Sequence, residues 1–230
     1  MQTKYFVLFG LIAIKYILQY VLIHPVYELQ RDEYLHLDQG LHLAWGYISV
    51  PPMTSWISFV IHALGGTVFW VKFFPAAFGA LTMVLVWKMI EKLNGSLYAC
   101  FLGTLAVLIS PLLRINLLYQ PNSSDVFFWT LAFYILVRWI QTAENKWIYI
   151  AAIAIALGFY SKYNILIFVA ALLPAILLTP YRKIFVNKHL YLAILVGCLL
   201  VLPNLYWQYQ QQFPTLHQLQ ALADTQLVNV

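Results

Sequence analysis

Long apolar runs separated by short polar segments dominate this sequence of 230 residues. The first run, residues 5–23, is long enough to cross a bilayer, because a transmembrane helix needs about 20 consecutive apolar residues. Similar runs recur as far as residue 206, so the pattern predicts an all-α, polytopic membrane bundle with about seven transmembrane helices. The predicted spans are residues 5–23, 68–90, 97–113, 125–140, two arms within 147–179, and 190–206.

The connection between the first two spans, residues 26–66, contains two segments with helical patterns that are too short to span. Apolar residues recur at spacings of three and four over residues 34–45, and Asp32, His36 and Gln39 would share another face of such a helix. Pro51-Pro52 opens the second segment, residues 53–64, and Gly65-Gly66 ends it. We expect both helices to lie on the membrane surface.

The apolar stretch at residues 147–179 is interrupted only by Ser161-Lys162-Tyr163-Asn164. As one helix it would be about 50 Å long, whereas the hydrocarbon core is about 30 Å thick. The chain is therefore predicted to fold back at Lys162. Each arm is shorter than the core, so this lysine would lie at a turn recessed below the membrane surface.

The composition agrees with a membrane protein and excludes an ordinary soluble domain. Hydrophobic residues make up 63% of the chain and charged residues only 9%, against about 25% charged residues in a soluble domain. The net charge of +5 does not indicate a nucleic-acid partner, because Lys and Arg collect in cytoplasmic loops. With a cytoplasmic N-terminus, eight of the thirteen basic residues lie inside, namely Lys4, Lys88, Lys92, Arg138, Lys146, Arg182, Lys183 and Lys188.

The same orientation gathers six other ionisable residues at the exoplasmic side. They are Arg31, Asp32, Glu33, Arg114, Asp125 and Lys162. Lys and Arg bind phosphate, and a carboxylate without a partner can act as a general base toward a hydroxyl. The arrangement predicts a pocket for a phosphate-bearing lipid whose tail stays in the bilayer. It does not identify a sugar.

Several short motifs, in this order, resemble the GT-C membrane glycosyltransferases that use polyprenyl-phosphate sugars. The group includes the family 39 protein O-mannosyltransferases and the lipid A aminoarabinose transferases. The matching motifs are Arg31-Asp32-Glu33-Tyr34, Ala44-Trp45-Gly46-Tyr47, Pro51-Pro52-Met53, Ser110-Pro111 with Asp125, residues 158–163, residues 203–207, and Phe213-Pro214-Thr215. By this resemblance, residues 1–230 form a single transmembrane domain with a GT-C bundle, and residues 26–66 are its first exoplasmic loop.

The resemblance also implies a role for each candidate residue. Asp32 would be the catalytic carboxylate that activates the acceptor, and Glu33 would support it or help to bind donor or acceptor. Lys162 would hold the donor phosphate. Further substrate contacts are expected from Asp125, Arg31, Arg114 and Tyr34.

The implied reaction is an inverting transfer in a bacterial inner membrane. The donor would be a polyprenyl-phosphate sugar, and the acceptor a lipid, a protein or a glycan. No cofactor is expected, although the resemblance leaves a divalent metal open. Such enzymes are usually roughly twice as long, so we expect this chain to be an N-terminal portion or a truncated relative.

Simpler interpretations exist for the same residues. Asp32 and Glu33 would also suit a solvated loop, Asp125 a helix N-cap, and Lys162 an ordinary turn. His36 and His42 with nearby aspartates lack a recognised metal-ligand spacing. Aromatic residues near span ends, including Trp45, Trp56, Trp70, Tyr119 and Trp207, suit a membrane-interface belt.

Two other function classes remain as alternatives, a transporter or flippase for lipid-linked sugars and a non-catalytic subunit. The sequence has no internal repeat and no pair of broken spans in matching positions, which a transporter would favour.

Overall fold

The computed structural model describes residues 2–23, 26 and 28–227, and this part of the chain is helical, with no strand. The helices are α1 (Gln2–Val21), α2 (Arg31–Gln39), α3 (Met53–Ala63), α4 (Val68–Lys92), α5 (Leu97–Ile109), α6 (Leu112–Ile115), α7 (Pro121–Thr142), α8 (Lys146–Ser161), α9 (Ile165–Leu177), α10 (Lys188–Gln210) and α11 (Pro214–Leu222). A 3₁₀ turn, Pro180–Val186, joins α9 to α10. The predicted all-α membrane bundle is confirmed.

Helix length supports fewer membrane spans than the sequence pattern predicts. Among the described residues, α1, α4, α7 and α10 are the 4 helices long and apolar enough to cross a membrane. Helices α5, α8 and α9 have 13, 16 and 13 residues, or about 20–24 Å at 1.5 Å per residue. Helix α9 and the following 3₁₀ turn meet at 108°, as in a broken span or a re-entrant segment. Four to five spans are thus supported, and seven stays a prediction.

The predicted reversal at Lys162 is confirmed. Helix α8 ends at Ser161, Lys162 has an extended backbone (φ −159°, ψ 137°), and α9 begins at Ile165. The two helices pack against α7 through a cluster that includes Ala132, Phe159 and Phe168.

The fourth span begins earlier than the sequence pattern predicted. Helix α7 starts at Pro121, after the N-cap Gln120, and not at Asp125. Proline suits this first position because its fixed φ is already helical and its missing N–H would be unpaired there. Asp125 therefore lies in the second turn, and its interpretation as the N-cap is wrong.

The first connection contains both predicted short helices, but α2 is displaced. It covers Arg31–Gln39, whereas the sequence pattern placed it at residues 34–45. The face that it buries is its polar one, with Glu33, His36 and Gln39, while Tyr34 and Leu35 are exposed. The hydrogen bonds of the buried polar groups set the helix in place, together with Leu37, which packs against Ile61 and Val71.

Helix α3 begins and ends close to the predicted bounds. Pro52 precedes it, and Gly65 and Gly66 follow with φ values of +98° and +66°. These left-handed conformations strain any residue with a Cβ, so the two glycines stop the helix.

Helix α4 runs through the centre of the bundle, where it packs against α7, and α8 packs against both α7 and α10. Helix α2 packs on α3, and α3 contacts α4 and α8. This arrangement brings the start of α2, the connection at residues 116–120 and the turn at residue 162 to one end of the bundle.

Candidate functional site

Asp32 is an accessible carboxylate in the first turn of α2. Its side chain is 46% exposed. One carboxylate oxygen, Oδ2, accepts a hydrogen bond of 3.0 Å from Gln120 Nε2. The other lies 3.3 Å from Nε of Arg31, whose side chain is 96% exposed. An ionised carboxylate has about four acceptor positions, so Asp32 keeps capacity for a further partner.

Lys162 is connected to Asp32 through two side-chain amides. Its ammonium donates to Asn122 Oδ1 at 2.9 Å, Asn122 Nδ2 donates to Gln120 Oε1 at 3.1 Å, and Gln120 donates to Asp32. We call this series Lys162–Asn122–Gln120–Asp32 the amide line. All of its hydrogen bonds run in the same direction, from the cation to the carboxylate. The predicted convergence of Asp32 and Lys162 is thus present, with two neutral amides between them.

Contacts between helices hold the Lys162 end of the amide line. The hydroxyls of Ser124 in α7 and Ser161 in α8 are 2.6 Å apart, and both residues are buried. This contact fixes the end of α8 beside the start of α7, where Asn122 lies. Asp125, one turn further along α7, is half-buried and interacts electrostatically with Lys162.

Glu33 has the opposite environment to its neighbour Asp32. Its side chain is fully buried, and Lys72 Nζ in α4 donates to its two oxygens at 2.7 and 2.9 Å. The same carboxylate accepts from the backbone N–H of Tyr119 at 2.7 Å and of Gln30 at 2.8 Å. The Lys72 ammonium also donates a hydrogen bond of 2.9 Å to the carbonyl oxygen of Leu117. We call Glu33 with Lys72 the buried ion pair.

The buried ion pair belongs to a larger polar network that reaches α1. Gln19 donates to the carbonyl oxygens of Asn116 at 2.5 Å and of Lys72 at 3.4 Å. Lys15, which is 2% exposed, donates to Gln19 Oε1 at 3.0 Å. A cation inside an apolar span needs such an internal partner. The network ties α1, α2 and α4 to the connection that carries Gln120.

The remaining predicted site residues lie away from the amide line. Tyr34 is 59% exposed on the outer side of α2. Arg114 is exposed and lines a 190 Å³ cleft together with Glu28 and Gln30. The structure therefore brings together Asp32, Lys162 and Asp125, with Arg31 at the rim, but it does not place Arg114 or Tyr34 beside them.

Sequence reasoning missed four residues of this region, namely Lys72, Tyr119, Gln120 and Asn122. Lys72 carried a usable signal, because an ionisable residue inside an apolar run requires a partner. Gln120 and Asn122 carried none beyond being polar at a helix start. Tyr119 was assigned to the interface belt, which is wrong, since it is 2% exposed and its hydroxyl donates to the Thr54 carbonyl at 2.6 Å. Burial raises the pKa of Tyr119 above its usual value.

His36 is part of the buried polar face of α2. Its Nδ1 lies 3.2 Å from Gln39 Oε1, and burial lowers the pKa of His36 below its usual value. Among the residues that the structure describes, no group of three or more His, Cys, Asp and Glu side chains could hold a metal ion.

The chain is similar to known glycosyltransferases. The profile of the dolichyl-phosphate-mannose-protein mannosyltransferase family matches residues 49–207. Lipid A galacturonosyltransferase RgtD from Rhizobium johnstonii is 23% identical over 197 residues, which cover 85% of this chain and 41% of the relative. The chain thus spans about two fifths of the length of this curated relative. No solved structure matches the chain significantly.

Proposed function

Because this chain belongs to the dolichyl-phosphate-mannose-protein mannosyltransferase family, we propose that it carries the donor site and the general base of a membrane glycosyltransferase. The enzyme moves a sugar from a polyprenyl-phosphate donor to an acceptor hydroxyl. The observation that carries this proposal is the amide line, which joins an accessible carboxylate to a lysine ammonium across three separate segments of the chain.

In the proposed reaction, Asp32 acts as the general base. It accepts the proton of the acceptor hydroxyl while that oxygen attacks the anomeric carbon of the donor sugar. The bond between this carbon and the phosphate oxygen breaks, and polyprenyl phosphate leaves with both bonding electrons. A single displacement of this kind inverts the anomeric configuration.

Lys162 binds the donor phosphate and stabilises the charge that develops on it as it leaves. Its hydrogen bond to Asn122 aims the ammonium along the line that ends at Asp32. The charge lies at a turn between two apolar helices, which suits a ligand whose phosphate is at the surface and whose tail is in the bilayer. Asp125, beside Lys162, contacts the sugar or orients the lysine.

The site faces the exoplasmic side of the membrane. The opposite end of the bundle carries many of the basic residues, including the ion pair of Lys4 with Glu91 at 2.6 Å and the pair of Lys146 with Glu144. The positive-inside rule assigns that end to the cytoplasm. Since the name of the RgtD relative specifies lipid A, a membrane lipid is the first acceptor class to test.

The test measures sugar transfer from a polyprenyl-phosphate donor by membranes in which the full-length protein is expressed. Asp32→Asn should reduce turnover by about 10²–10⁴-fold, the usual contribution of a general base. Lys162→Ala should raise KM for the donor. Lys146→Ala, which removes a lysine from the opposite end of α8, is the matched control and should behave like the wild type. Wild-type turnover by both site variants would refute the assignment.

A further inference from the structure

We propose that the buried ion pair of Glu33 and Lys72 is a positioning device that holds the Asp32 carboxylate against Gln120. This inference rests on the proposed function, in which Asp32 is the general base. It gives a catalytic consequence to Lys72, which belongs to none of the sequence motifs and touches neither end of the amide line.

The contacts place the buried ion pair directly behind the Asp32–Gln120 hydrogen bond. Glu33 follows Asp32 in the chain, and Tyr119 precedes Gln120. Glu33 accepts from the Tyr119 backbone N–H at 2.7 Å, one residue away from the 3.0 Å bond between Asp32 and Gln120. The start of α2 and the connection before α7 are therefore joined twice, once by the buried carboxylate and once by the accessible one.

Lys72 holds the start of α2 and the connection before α7 at a fixed place in the bundle. It bonds both oxygens of Glu33, and it also bonds the Leu117 carbonyl, two residues before Tyr119. One ammonium in the first turns of α4 thus bonds both segments, α2 through Glu33 and the connection before α7 through Leu117. Gln19 of α1 bonds the carbonyls of Lys72 and Asn116 and holds the same connection from the other side.

Asp32 needs this support because its own contacts are few. Its side chain is 46% exposed and has one amide partner and one fully solvated arginine. Without a fixed backbone on both sides, the carboxylate and the amide of Gln120 would separate easily. The buried ion pair supplies the rigidity while leaving the Asp32 carboxylate accessible to an acceptor.

Stability alone does not explain why charges occupy these positions. Burying two charges is costly, and apolar side chains of similar volume often stabilise a protein equally well or better. What apolar side chains cannot do is bond two backbone segments in a fixed direction. The ion pair is therefore better explained by the geometry that it imposes on residues 32 and 120.

The main test is the double variant Glu33→Gln with Lys72→Gln in the complete reading frame. It removes both charges together, so that no unpaired charge is buried, but it weakens the bond to Tyr119 because a carboxylate is a stronger acceptor than an amide. We expect kcat to fall by about 10–100-fold, the effect of a misplaced catalytic group, while KM for the donor stays unchanged. Hydrogen exchange at the Tyr119 amide should accelerate by at least about tenfold.

The matched control is Glu91→Gln, which breaks an ion pair at the other end of α4. Glu91 bonds Lys4 at 2.6 Å and lies about 28 Å along the helix from Lys72. This variant should keep wild-type kcat and wild-type exchange at Tyr119. A double variant with wild-type kcat and exchange, or a Glu91→Gln variant with the same defects, would overturn the proposal.

Two further experiments cover the cases in which the double variant does not fold or the wild type is inactive. If the double variant does not fold, Lys72→Arg replaces it under the same criteria, because arginine keeps the charge but changes the geometry of the donors. If the wild type transfers no sugar, the proposed function fails and exchange alone decides. Selective acceleration at Tyr119 in the double variant then supports the positioning role, and unchanged exchange refutes it.

Discussion

Asp32 and Glu33 are adjacent carboxylates with opposite surroundings. Asp32 is 46% exposed and bonds a neutral amide, whereas Glu33 is fully buried and bonds a lysine ammonium and two backbone N–H groups. A helix places consecutive residues about 100° apart, so one carboxylate points into the bundle and the other toward its rim. The comparison teaches that a pair of acidic residues in a motif need not share a role. The accessible Asp32 is suited to proton transfer, and the buried Glu33 is suited to holding the chain in place.

Of the two roles that the resemblance implies for Glu33, the support of Asp32 therefore fits the geometry better than direct contact with a substrate. The hydrogen-bonding capacity of Glu33 is filled by Lys72, Tyr119 and Gln30. A substrate would have to displace these partners from a fully buried position.

The strongest way to test this contrast is to remove each cation in turn. Lys72→Met leaves Glu33 as an unpaired buried charge and should destabilise the protein by about 3–5 kcal/mol. Lys162→Met breaks only a partly exposed contact and should cost less than about 1 kcal/mol. Thermal unfolding of both variants in detergent measures the difference. Equal losses would show that the two cations do not differ in this way.

A smaller loss of stability is expected from Gly79→Ala in α4. A Cβ at residue 79 would overlap the Asn116 side chain and lie 2.7 Å from Lys15 Cε. Overpacking of this kind costs about 1–3 kcal/mol, and here it would disturb the network around the buried ion pair. Gly10→Ala is the control, because a Cβ there has nothing within 4 Å. The unfolding temperature of Gly10→Ala should not fall; if Gly79→Ala matched it, the packing argument would be wrong.

On the accessible side, Asn122→Ala interrupts the amide line without removing either charge. Without Asn122, neither Lys162 nor Gln120 keeps its amide partner, and a binding or catalytic group displaced by about 1 Å can lose about 10²-fold in rate. We therefore expect kcat/KM for donor turnover to fall by at least about tenfold, with little change in the unfolding temperature because the contact is partly exposed. Asn145→Ala is the control, since Asn145 makes a similar contact of 2.7 Å with Asn187 at the other end of α8. Loss of activity in both variants would point to a general effect on the bundle.

The weakest expected effect concerns pH and the buried side of α2. Burial lowers the pKa of His36 in the folded protein, whereas an unfolded histidine titrates near about 6.5. Below that pH the unfolded chain binds a proton that the folded chain does not, so stability should decrease by at most about 1.4 kcal/mol per pH unit as the pH falls. Unfolding temperatures at pH 7.5 and pH 5.5 measure this loss.

His36→Gln should show a smaller decrease between these pH values than the wild type. His217→Gln, which replaces a histidine on the exposed surface of α11, should keep the wild-type decrease. A decrease that is unchanged in His36→Gln would assign the pH dependence to other groups.

Sequence patterns predicted the membrane class, most helix bounds and the reversal at Lys162, because each follows from local physics. A bilayer demands a minimum length of apolar helix, Pro52 and Gly65-Gly66 punctuate α3, and a stretch too long for the membrane must turn back. The start of α7 was misplaced because the pattern gave more weight to the charge at Asp125 than to Pro121. Helix α2 was displaced because the residues that it buries are polar ones, Glu33, His36 and Gln39, whereas the prediction followed the spacing of the apolar residues.

The chain by itself thus determined that Asp32 and Lys162 would come to the same end of a helical bundle. Only the tertiary structure decided how they are joined and which neighbouring acid is buried. Gln120 and Asn122 take part in the site only because α7 packs against α8, and Lys72 reaches Glu33 only because α2 packs near α4. These contacts link residues 39 to 88 positions apart. No local propensity encodes such pairings, because they depend on where whole helices lie relative to one another.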